Sequence, residues 1–126
     1  MTYSNETITR EQFPTIDKLR EEVINKLRDC ELKLYSPEIQ NEFENLTDIV
    51  KKRKFIDERI ELSVLRVKLE SATLEKIAAR LKCLEEDLNK GLEALAESID
   101  NVQNTVDILT TIKNVTGLVA RILVII

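Results

Sequence analysis

The chain contains no histidine and no tryptophan, and only two glycines, two prolines and two cysteines in 126 residues. Each scarcity removes a class of protein. Without histidine there is no Ser-His-Asp or Cys-His nucleophile system, no His-ligated zinc and no Glu-x-x-His di-iron centre. Gly-rich phosphate loops are absent, which excludes a P-loop and a dinucleotide fingerprint. Both prolines, Pro14 and Pro37, precede residue 38, so only Gly91 and Gly117 punctuate the remaining chain. Sandwiches and barrels need a turn signal every 8–12 residues, and α/β folds need glycines at strand–helix joints. Neither fits. The two cysteines, Cys30 and Cys83, are too few for a disulfide framework and read as buried small hydrophobes in a reducing cytosol. The N-terminal residues show no basic region and no apolar core of a secretory signal, so the expected location is cytoplasmic. The sequons at Asn5, Asn45 and Asn114 then carry no meaning.

What remains is charge and aliphatic bulk: 33% charged and 43% hydrophobic residues, a net charge of −4, and 4% aromatics. This composition predicts an all-α protein of three or four long antiparallel helices, a coiled-coil-like bundle. The length predicts one domain. Residues 1–13 read as a flexible lead-in, with Thr9 and Gln12 spaced for a capped turn. The bundle would occupy 14–126.

Apolar residues at Ile16, Leu19, Val23, Leu27, Cys30 and Leu34 form one helical stripe over 14–35. Ser36-Pro37-Glu38 supplies an N-cap, a first-turn proline and a dipole-complementing acid, so a second helix begins there. No strong stop follows for some 50 residues. The reading is therefore a helix over 37–90, with a possible break at 71–73, and another over 92–126, with a possible break at 114–117. A step of seven runs through Ile60, Val67, Leu74, Leu81, Leu88, Leu95, Val102, Leu109, Thr116 and Leu123, and such a ladder predicts helices packed nearly in line. The companion positions shift phase at Leu88-Asn89-Lys90-Gly91, which is read as the principal turn. Ile60, Leu62 and Val64 also alternate with period two, a strand-like pattern that lacks turn residues at its flanks; helix is the preferred reading of 60–69.

Charge is unevenly distributed. Residues 51–82 hold 10 basic and 5 acidic side chains, whereas 85–107 hold one lysine and seven acids. A turn at Gly91 would lay these oppositely charged segments side by side. The run Lys51-Lys52-Arg53-Lys54 has one aromatic neighbour, Phe55, and acids around it, so it reads as a solvated face and not as a nucleic-acid platform.

Two constellations suggest chemistry. Glu58 with Glu61, and Glu97 with Asp100, each place two carboxylates on one helical face, as a Mg²⁺ site requires. They resemble the metal motif of all-α nucleoside triphosphate pyrophosphatases, and the resemblance covers those few residues. The apolar C-terminus, Val115–Ile126, is too short to span a bilayer. With long preceding helices it is similar in general plan to α-helical pore-forming toxin subunits, which implies a membrane-acting alternative. The preferred function is non-enzymatic: a helical module that self-associates or docks a helical partner, without cofactor, metal, small-molecule substrate or nucleic acid. Its seam would be the ladder Ile60, Val67, Leu74, Leu81, Leu88, Leu95, Val102, Leu109 and Leu123. Its docking tail would be Leu118, Val119, Ile122, Val124, Ile125 and Ile126.

Overall fold

The computed structural model describes residues 8–124. It is all-helical: α1 (Phe13–Leu34), α2 (Pro37–Glu44), α3 (Ile49–Ser71), α4 (Leu74–Asp100) and α5 (Thr105–Leu123) pack against one another. Each of α1 and α5 packs against both α3 and α4, while the short α2 packs on α1 and α3.

Helix starts follow local chemistry. Thr9 donates its backbone N–H to the Gln12 side chain at 2.9 Å, closing a 3-10 turn over Arg10–Gln12 that leads into α1. Half of the segment read as a free lead-in is thus organised: Ile8 and Phe13 pack against the core. Residues 1–7 lie outside the described residues. Ser36 accepts from the N–H of Ile39 at 3.4 Å, with Pro37 at the first helical position, as its sequence signature predicts.

The expected helix over 37–90 is instead three helices. Asp48 accepts from the N–H of Lys51 at 3.2 Å and starts α3 after a bend at 45–48 that the sequence reading passes over. The second interruption falls at Ala72-Thr73, within the weaker candidate 71–73. There Arg20 of α1 donates to the carbonyl of Ala72 at 2.7 Å and reaches that of Leu69 at 3.5 Å. A cation satisfies the orphan carbonyls at the end of α3.

The principal turn expected at Gly91 does not exist; α4 runs straight through it. The apolar row Ile77, Leu81, Leu84, Leu88, Leu92, Leu95, Ile99 averages about 3.7 residues per step, close to a straight helix, so the phase shift at Leu88 keeps one face inward. Gly91 is a place of close approach. A Cβ there would touch side-chain atoms of Val115 and Leu118 at 3.5 Å, so α5 crosses α4 at this point. The chain turns later, at 101–104, where Asn104 accepts from the N–H of Asp107 at 3.1 Å and caps α5. The expected break at 114–117 is absent, since α5 is continuous through Gly117. Without a turn at Gly91 the basic and acidic segments are not folded back on each other, and α4 lies mainly against α1 and α5.

Residues 60–69 are helical, and the period-two pattern has a simple cause. Phe55, Leu62, Leu65 and Leu69 face the core, whereas Ile60, Val64 and Val67 face outward. Apolar residues on opposite sides of one helix mimic alternation.

Candidate interaction surface

The ladder and tail residues separate into three environments. Leu81, Leu88, Leu95, Leu109, Val119 and Ile122 are buried in the chain's own core. Leu74, Val102, Leu118 and Leu123 are half-buried against it. Ile60, Val67 and Val124 are exposed. Ile125 and Ile126 lie outside the described residues. The apolar segment after Val115 therefore mainly completes the core: Val115, Val119 and Ile122 are fully enclosed. Arg80 of α4 donates to the Ile122 carbonyl at 2.7 Å and fixes the end of α5. Among the described residues no helix is long and apolar enough to cross a membrane.

The carboxylates of the suggested metal motif are not gathered. Glu58 and Glu61 lie on α3, Glu97 and Asp100 on α4, two helices that pack mainly on α1 and α5. Among the described residues no three His, Cys, Asp or Glu side chains come together to hold a metal ion.

A different feature emerges on α3. Ile49, Val50, Ile56, Ile60, Val64 and Val67 are all exposed, between 45% and 76%. Ile49, Arg53, Ile56, Ile60, Val64 and Val67 follow one another at steps of four, three, four, four and three, so they lie along one row. That row lies opposite the one formed by Phe55, Leu62, Leu65 and Leu69. At the helical rise it is about 27 Å long. Sequence reasoning found Ile60 and Val67 through the ladder but missed Ile56 and Val64. The available signal is the β-branched excess that extends back to Ile49, of which the period-two pattern over 60–69 covers only the second half.

Two polar clusters hold α3 in this orientation. Between α1 and α3, Glu31 accepts from Arg66 Nε at 2.5 Å and from Ser63 Oγ at 2.6 Å. Glu70 accepts from Arg66 Nη1 at 2.9 Å and from Arg28 Nη2 at 2.7 Å. Hydrogen bonding to Glu31 holds the Arg66 guanidinium above its usual pKa. The second cluster lies under α2. Arg59 is buried and donates through Nη1 to the Leu34 carbonyl at 3.3 Å and to Gln40 Oε1 at 3.2 Å. Its guanidinium carbon stands 3.9 Å from the Tyr35 ring centroid and 4.8 Å from that of Phe55, within cation–π range. Phe55 in turn stacks on Phe43 at 3.7 Å between centroids. Rotating α3 to bury its outer row would strip partners from Glu31, Arg66 and Arg59, which in low dielectric costs several kcal/mol.

An open groove of about 460 Å³ lies at the N-terminal end of the row, between the start of α3 and α5; Val50, Val106 and Leu109 give it apolar area, and Lys51, Lys54 and Lys113 stand around it. Cys30 is buried, and burial pushes its thiol pKa up. Cys83 is exposed, contrary to the expectation that both thiols are inside.

No protein-family model matches the chain, and neither a curated protein nor a solved structure matches it.

Proposed function

We propose that this protein is a non-enzymatic interaction module, a bundle of antiparallel helices that presents the outer row of α3 to an apolar helical partner. The observation that carries the reading is the row itself: Ile56, Ile60, Val64 and Val67, about half exposed, directly opposite the core-facing leucines of the same helix. Scattered single apolar residues on a surface need no explanation. A continuous row along one helix does, because it persists in water at the risk of aggregation unless something covers it. An amphipathic helix laid along it, meeting anchors at i, i+4, i+8 and i+11, is the matching partner geometry. The enclosed leucines of α4 and the enclosed Val119 and Ile122 of α5 serve the module's own stability, which leaves Leu118 and Val124 as the more accessible described members of the expected docking tail. The two unpaired thiols suit a reducing cytosol.

A photo-cross-linking residue placed at Val64, in cells making the full chain, tests this. A discrete cross-linked adduct is expected at position 64 and not at Glu93 on the exposed side of α4, and it should vanish on Ile60→Glu. Absence of any adduct at 64, from a chain that folds normally, overturns the reading.

A further inference from the structure

We infer that the occupant of the α3 face is a second copy of this chain, docked with its α3 antiparallel about a two-fold axis level with Glu58. This rests on the reading of α3 as a docking face and adds the partner and its register.

The argument starts from self-complementarity. A two-fold interface brings the same patch of each copy together, so residue i meets j and j meets i. In antiparallel packing of two helices, each position of the central row faces a residue equally far on the other side of the axis. With the axis level with Glu58, Ile60 faces Ile56 of the partner subunit. Val67 faces the partner's Ile49, and on the flank Val50 falls beside the partner's Val64. All six exposed aliphatic residues of α3 thus find an aliphatic neighbour in one register. Large β-branched side chains in facing positions are the usual content of such seams.

Charge selects the antiparallel direction. Lys51-Lys52-Arg53-Lys54 forms a block at one end of α3. A parallel, in-register pair would set this block against its own copy, with Arg53 on Arg53 inside the row, and like charges so placed are destabilising. In the antiparallel register the block moves to the far end of the partner helix. Lys54 then lies level with the partner's Glu61 on the same flank of the row, and both are exposed in the isolated chain. Arg53, the one charged member of the row, comes opposite the partner's Ser63 and lays its aliphatic stem toward the partner's Val64. The register has one unfavourable element. The two Asp57 side chains approach each other near the axis, so neutralising them should tighten the dimer.

Light scattering coupled to size exclusion on the full chain should give twice the 14.5 kDa chain mass at tens of micromolar. Ile60→Glu should reduce it to the single-chain mass with unchanged helicity. Lys54→Glu and Glu61→Lys should each weaken the dimer several-fold, and the double variant should restore it, because the exchanged charges meet again only across the two chains. Asp57→Asn should strengthen it. For direction, chains carrying Ile49→Cys and chains carrying Val67→Cys, each with Cys83→Ser, should give a cross-linked dimer with a short bis-maleimide only when mixed. A chain that stays at its single mass at 100 µM overturns the dimer; a cross-linked adduct of another mass at Val64 in cells would then still support the docking face. Ile49→Cys chains that cross-link by themselves, or a charge swap that fails to restore association, overturn the antiparallel register while leaving an Ile60-dependent dimer in place.

Discussion

α3 and α4 are two long helices of similar length, one rich in β-branched residues and the other in leucine and alanine, and they bury themselves differently. In α4 every large aliphatic residue from Ile77 to Ile99 is on one side, and the opposite side is charged. In α3 aliphatic residues stand on both sides, and a buried Arg59 with the half-buried Arg66 helps decide which side goes in. The difference teaches that one sequence ladder can belong to two surfaces. Ile60 and Val67 share the seven-residue step with Leu81, Leu88 and Leu95, but the two-residue connection Ala72-Thr73 resets the helical phase between them. A leucine after the joint is core; an isoleucine before it is surface.

That contrast can be broken by mutation. The largest expected effect is Leu88→Ala, which deletes a fully enclosed side chain and should cost about 3 kcal/mol in urea unfolding. Ile60→Ala, four levels earlier in the same ladder, should cost about 0.5 kcal/mol or less at low protein concentration. Equal losses at the two positions would mean that the ladder is one buried seam after all. Glu31→Ala should come next, at about 2–3 kcal/mol, because it leaves Arg66 and Ser63 without their main partner between α1 and α3. Gly91→Ala should act in the opposite direction. The added methyl meets Val115 and Leu118 at ordinary contact distance within a helix, so a gain of about 1 kcal/mol is expected in thermal or urea unfolding. A loss would mean that α5 lies closer to α4 than the structure places it.

The smallest effect concerns the thiols. Cys83 on α4 should react with a thiol reagent in the native chain, whereas Cys30 should react only as fast as the protein unfolds. Burial raises the Cys30 pKa, so its unfolded form ionises first, at about pH 8.5. The stability contribution of Cys30 is complete below that pH and is lost as the pH rises toward the folded value. Cys30→Val should abolish this alkaline slope, and a slope that survives the substitution would assign it to another group.

Much of this architecture was legible in the sequence because helix signals are local. Ser36-Pro37 announces α2, and the scarcity of glycine and proline excludes sheets. The joints at 45–48 and 101–104 were less legible, because a single Asp or Asn can cap a helix or sit on its surface with equal ease. Gly91 misled for a related reason: it resembles a stop, but here it makes room for a crossing helix. The outer row of α3 was hardest to see. Its pattern contains two apolar faces, and the contacts of Arg59, Arg66 and Glu31 with α1 and α2 help decide which one turns inward.

The Arg20 cap at the end of α3 has a consequence for how this molecule can change. It fixes a joint of two residues at which helical phase is not transmitted. The outward positions of α3 can therefore be rewritten, from apolar to polar, without a matching change along α4. The side chains that face outward from α3 and those that enclose the core along α4 are thus separate sets, and either can drift or be redesigned while the other stays still.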